Sequence, residues 1–164
     1  MIKNIIGIDP GKNGGIAVLT LKRNCVHEDW WMLYKAKVEV FSEEALVKIC
    51  DKYSTKPPST TVYLENVHAM PKQGVSSTFN FGKNFGFIQG AIKQAGLDLV
   101  LVTPQTWKKE IGCTADKSTS IKVCKELFPY VNLLASARCR KEHDGMAEAL
   151  LIAEYGRRQY NGKS

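Results

Sequence analysis

The stretch Ile2-Lys3-Asn4-Ile5-Ile6-Gly7-Ile8-Asp9-Pro10-Gly11, followed by Gly14-Gly15-Ile16-Ala17-Val18-Leu19, decides the fold class. Ile2, Ile5, Ile6 and Ile8 form a β-branched run closed by Asp-Pro-Gly, which is the pattern of a buried strand entering a turn. The short link to the second apolar run predicts a hairpin. Residues 30–40, opening at Trp30, alternate loosely and predict a third strand at an edge. Ser42 is placed to cap a helix carrying Ala45, Leu46, Ile49 and Tyr53 on one face, and Lys56-Pro57-Pro58-Ser59 breaks it.

Residues 61–64 read as a short strand that delivers Glu65 at its end, and 66–76 as a loop containing His68, Pro71 and Gly74. Phe81, Phe85, Ile88 and Ile92 recur at spacings of four, three and four, predicting a helix over 77–95. Residues 97–102 predict a strand ended by Thr103-Pro104, 117–128 a helix stopped by Pro129, 132–142 a basic loop, and 144–160 a final helix. Early strands followed by alternating helices and strands indicate one α/β domain, residues 1–164, with a mixed five-stranded sheet.

Composition agrees with a folded chain. The 164 residues are 44% hydrophobic and 24% charged, the length of one ordinary domain. Lys plus Arg exceed Asp plus Glu by 23 to 16, a net +7 that favours a polyanionic partner, nucleic acid first. Cys25, Cys50, Cys113, Cys124 and Cys139 are odd in number and lack Cys-x-x-Cys spacing, which argues against a zinc ribbon or a disulfide framework. No apolar run approaches the ~20 residues of a membrane span. The opening residues lack a secretory pattern, so an intracellular, cytoplasmic protein is expected.

Carboxylates stand where chemistry is expected. Asp9 and Glu65 end strands, and open α/β sheets build sites at carboxyl strand ends. Asp144 and Glu148 are four apart and share one face of the last helix. Carboxylates gathered there suit hard divalent cations, usually magnesium. Two such ions activate a water and stabilise the leaving oxygen of a phosphodiester. Taken singly, each has a plainer role: Asp9 shapes a turn, Glu65 is an exposed strand end, Asp144 caps a helix and Glu148 is solvated.

Several segments resemble the RuvC-type Holliday junction resolvases. Residues 5–15, with Ile8-Asp9-Pro10-Gly11, look like their first-strand motif, and Val62-Tyr63-Leu64-Glu65-Asn66-Val67 their second acidic strand. Val102-Thr103-Pro104-Gln105-Thr106-Trp107-Lys108-Lys109, then Asp116-Lys117-Ser118, is similar to their Pro-bearing strand end and basic segment. His143-Asp144-Gly145-Met146-Ala147-Glu148 looks like their acidic final helix. The set runs in order from residue 5 to residue 153 and looks closest to compact phage-type or viral members. It implies an RNase H-like fold with helices on both sheet faces. It also implies a homodimer that cleaves four-way DNA junctions with two Mg2+ ions, Mn2+ being a substitute. The implied metal ligands are Asp9, Glu65, Asp144 and Glu148, with His143 as an alternative, and the implied catalytic cation is Lys117. The last helix departs from the commoner bacterial pattern, in which an acidic or His residue precedes an Asp by three. Here Gly145 stands three before Glu148 and Asp144 four before it.

Lys108, Lys109, Arg138, Arg140 and Lys141 are candidate DNA contacts, as is Phe79 for wedging against an unstacked base. Arg157, Arg158 and Lys163 serve either DNA or solubility, and His68 is a minor DNA candidate. Gly82, Gly86 and Gly90 form a smooth stripe suited to close approach of the sheet or of a partner subunit. Three other functions compete with junction resolution. The same fold acting on other branched DNA or RNA–DNA hybrids is one, and a non-catalytic junction binder is another. A sugar-kinase-like phosphotransferase would also open on an Asp-Gly strand motif, but 164 residues are too few for its second lobe.

Overall fold

The computed structural model describes residues 2–23, 31–54, 59–68 and 74–161. Expectations resting on Cys25, Trp30, Lys56-Pro57-Pro58, Pro71 and Lys163 lie outside the described residues.

Strands β1 (Ile2–Asp9) and β2 (Gly15–Arg23) form the expected hairpin, antiparallel from Ile2↔Lys22 to Asp9↔Gly15. Strand β3 (Trp31–Val40) adds antiparallel to β2 and forms one edge of the sheet. Strand β4 (Thr60–Glu65) lies parallel to β1, and β5 (Asp98–Val102) parallel to β4. The order β3-β2-β1-β4-β5 is the mixed five-stranded sheet expected from the sequence.

Helices cover both faces. Ser42 caps α1 (Glu43–Tyr53) by accepting the Ala45 N–H at 3.0 Å. Helix α1 packs with α2 (Val75–Gln94) over Ile6, Ile8, Ile16, Val18, Val62 and Leu64. The other face carries α3 (Pro104–Ile111), α4 (Lys117–Leu127) and α5 (Asp144–Asn161), packed over Ile5, Ala17, Leu19 and Tyr63. The strands' two-residue period therefore sends alternate side chains to two separate cores.

Helix α3 is absent from the sequence expectation, which used Thr103-Pro104 only to end a strand. Those residues also begin a helix. Thr103 caps it by accepting the Thr106 N–H, Pro104 takes the first position, and Gly112 closes it at φ 89°. Trp107 and Ile111, four apart, are its buried face.

Two glycines let α5 lie almost on the sheet backbone. A Cβ on Gly7 would fall 2.2 Å from the Ala149 carbonyl oxygen and 2.5 Å from the Ala153 nitrogen. A Cβ on Gly15 would fall 2.5 Å from the Gly145 carbonyl oxygen. Neither obstacle is a flexible side-chain end, so the helix itself would have to lift. Gly7→Ala is expected to lower unfolding stability by about 3 kcal/mol or more, the upper range of overpacking. Urea denaturation measures this, and a loss under about 1 kcal/mol would mean that α5 sits less firmly than described.

Gly82, Gly86 and Gly90 behave otherwise. An added Cβ at each would meet nothing within 4 Å, so this stripe does not provide close approach to the sheet. It lies on the solvent side of α2, while Ile88 and Ile92 face the core.

Candidate active site

Asp9 and Glu65 come together through strand register. Strands β1 and β4 are parallel and pair Ile8 with Leu64, so the next residue of each strand is level with the other. Ile8 and Leu64 enter the α1–α2 core, so alternation turns Asp9 and Glu65 toward the face covered by α3, α4 and α5. The Gly7 and Gly15 contacts bring the start of α5 over these strand ends, and with it Glu148. Asp9, Glu65 and Glu148 are 9%, 6% and 6% exposed.

Each carboxylate has its own restraint. Asp9 Oδ1 accepts the Gly11 N–H at 3.0 Å, so the turn role and a place in the site coexist. Glu65 Oε1 accepts the Trp107 indole N–H at 2.9 Å. Glu148 Oε1 accepts from Lys108 Nζ at 2.9 Å and from the Ser120 hydroxyl at 3.1 Å. Asp144 Oδ2 is paired with Lys117 Nζ at the more exposed rim. His143 caps α5, its Nδ1 accepting the Met146 N–H at 3.2 Å. That bond leaves Asp144 as the first helical residue rather than the cap.

Burial raises the pKa of Asp9 to about 7, with the Glu65 and Glu148 charges adding to the rise and the Gly11 N–H opposing it. Glu65 is raised by burial first and by Glu148, against the Trp107 hydrogen bond. Burial also pushes Asp144 up, but its hydrogen bond and ion pair with Lys117 hold it below the usual range. Lys117 is raised in turn, chiefly by its hydrogen bond to Asp144, with Asp144, Glu148 and Asp9 all adding charge.

A carboxyl with a folded pKa above its unfolded one favours the folded state while protonated. For Asp9 that contribution is whole below about pH 4 and lost as pH rises to about 7. Asn does not ionise. In EDTA, Asp9→Asn is therefore expected to be more stable than the parent by a few kcal/mol at pH 8, and to lose that advantage near pH 4. Thermal melts across this range measure it, and parallel stability curves for the two proteins would contradict it.

Among the described residues, no three His, Cys, Asp or Glu side chains form a ready-made ligand shell. The donor set still fits a hard cation in chemistry. It is all carboxylate oxygen, buried, mutually repelling, and balanced by the Lys108 and Lys117 ammonium groups. Asp9, Glu65 and Glu148 are the residues that would hold the ion, with Asp144 at the rim.

The remaining candidates are dispersed. Lys108 points into the site, onto Glu148, whereas Lys109 is exposed. Arg138, Arg140 and Lys141 are exposed in the segment before α5. Phe79 is 70% exposed on α2, and Phe81 stacks on Phe85. Arg157 and Arg158 both bind the buried Glu154 carboxylate, at 2.7 and 3.0 Å. Cys50, Cys113, Cys124 and Cys139 are free thiols, as expected. No helix of the described residues is long and apolar enough to cross a membrane. Trp107 and Ser120 are site residues that the sequence left unassigned. The available signal was an apolar Trp–Ile pair four apart behind a Thr-Pro start.

A mixed five-stranded sheet in the order β3-β2-β1-β4-β5 with helices on both faces is the RNase H-like fold. Within it, the chain has the fold of the RuvC-type resolvases. It superimposes on Thermus thermophilus RuvC in complex with a Holliday junction substrate with a TM-score of 0.58 at 13% identity, covering 99% of this chain and 96% of that one. A second T. thermophilus RuvC structure gives a TM-score of 0.56 at 14% identity, covering 97% and 96%. The yeast mitochondrial Holliday junction resolvase Ydc2 gives 0.54 at 14% identity, covering 97% of this chain and 79% of that one. No family model and no curated protein matches the sequence.

Proposed function

We propose that the chain is a structure-selective endonuclease that resolves four-way DNA junctions by divalent-metal-dependent phosphodiester hydrolysis. The observation that carries this is the meeting of buried Asp9, Glu65 and Glu148 at one end of the sheet, in a fold shared with junction resolvases. A non-catalytic binder has no use for buried acids beside a phosphate backbone, since they oppose its approach.

Asp9, Glu65 and Glu148 would hold the cation, Mg2+ or Mn2+, with Asp144 completing the site, and a cation held there would supply an activated water and charge stabilisation for the departing oxygen. Lys117 holds Asp144 and remains protonated, which places a positive charge at the rim where a phosphate would enter. Lys108 sets Glu148. Arg138, Arg140, Lys141 and Lys109 follow the DNA backbone, and Phe79 is available to an unstacked base. Symmetric cutting of two strands calls for a two-fold dimer. The exposed side of α2, with Val75, Phe87 and its open glycines, is the surface we assign to the second copy.

The test is cleavage of four-way junction, linear duplex and RNA–DNA hybrid with Mg2+ and with EDTA, alongside light scattering of the protein. Junction-selective, Mg2+-dependent cutting by a dimer is expected. Preference for the hybrid would move the chain to another RNase H-like activity, and binding without cutting would make it a junction binder.

A further inference from the structure

We propose that Trp107 is a positioning residue for Glu65, its buried indole N–H fixing one carboxylate oxygen so that Glu65 meets the divalent ion in a single orientation. This rests on the proposed role of Glu65 as a ligand.

The juxtaposition is built in three steps. Thr103 and Pro104 start α3 directly after β5, which lies parallel to β4 with Val102 opposite Glu65. One turn into that helix, Trp107 is wholly buried, and its Nε1 lies 2.9 Å from Glu65 Oε1. Among the described residues, Trp107 is the donor to that carboxylate. The next residue, Lys108, turns about 100° around the helix and reaches Glu148 on α5, its Nζ 5.2 Å from the Trp107 ring centroid. Two consecutive residues thus hold two acids from different elements.

The two restraints differ in kind. Lys108 and Lys117 hold Glu148 and Asp144 with positive charge, and so compete with a cation for the same oxygens. Trp107 holds Glu65 with a neutral donor that has no acceptor and does not titrate. It therefore orients the carboxylate and leaves its charge for the metal. A buried indole N–H needs a partner, whereas Phe or Leu at this core position would not, so the choice of Trp is tied to Glu65. Partners that orient metal ligands typically contribute 10–100-fold to metal affinity or activity.

The experiment uses Trp107→Phe, and in parallel the benzothienyl analogue of tryptophan at position 107. The analogue keeps the bicyclic ring and replaces N–H by sulfur, so it covers the case in which the smaller Phe fails to fold. Mn2+ affinity is measured by electron paramagnetic resonance titration of the free protein, with single-turnover junction cleavage as a second readout. Both variants are expected to bind Mn2+ about tenfold more weakly or worse. In a Glu65→Gln background, removing the N–H is expected to add little further loss. A merely structural Trp107 would lower the melting temperature and leave the Mn2+ affinity of the folded protein unmoved. Folded variants that bind Mn2+ within twofold of the parent overturn the proposal, provided that Glu65→Gln weakens binding. If Glu65→Gln itself leaves Mn2+ binding unchanged, the ligand assignment fails and the positioning role falls with it.

Discussion

Asp9→Asn is expected to lower single-turnover cleavage of a four-way junction by about a thousandfold or more while leaving junction affinity in Ca2+ close to that of the parent. Asp9 is the most strongly perturbed acid of the site, pushed up to about 7 by burial and by Glu65 and Glu148. A carboxylate held in that state is poorly compensated by the protein alone, so a divalent cation would gain most from it. The amide retains the shape and still accepts the Gly11 N–H that shapes the turn. It cannot supply the charge. The same substitution should stabilise the metal-free protein at pH 8, so a loss of cleavage cannot be mistaken for unfolding. It should also abolish the rise in melting temperature that Mg2+ gives the parent. Cleavage by folded Asp9→Asn within tenfold of the parent would remove Asp9 from the chemistry.

Much of this arrangement is legible in the sequence. The β-branched run ending in Asp-Pro-Gly gives β1 and its turn, and Glu65 at the end of a short strand is found the same way. What is not legible is how close α5 comes. Gly7 reads as one residue of a strand, yet the absent side chain is what admits Ala149 and Ala153 and so brings Glu148 beside Asp9. Periodicity reports which face a residue occupies, not how far the next layer stands from it. The glycines of α2 show the same limit: their spacing suits close approach to the sheet or to a partner subunit alike, and the open space beyond them rules out the sheet. Helix α3 escapes because a Thr-Pro pair ends one element as readily as it starts another, and eight residues show only one apolar repeat. The roles of Trp107 and Ser120 follow from that helix and from α4 meeting acids distant in sequence, which no local pattern announces.

Lys117→Ala is expected to lower the saturated single-turnover rate by about a hundredfold, the scale of a lost donor to developing charge, with a smaller change in affinity. Asp116 caps α4 by accepting the Ser118 N–H, which fixes Lys117 as the first residue of the helix. From there its ammonium reaches Asp144 and feels Glu148 and Asp9, so it stays protonated beside the site. Arg138→Ala provides the contrast. An exposed cation that only follows the backbone stabilises ground and transition states alike, so its loss weakens binding, lowers the salt slope by about one and spares the saturated rate. Binding is followed in Ca2+ and cleavage in Mg2+, at protein concentrations above the affinity of every variant. A Lys117→Ala protein that binds less tightly yet cuts at the parent's saturated rate is an ordinary phosphate contact, and developing charge must then be met by Lys108 or by the metal alone.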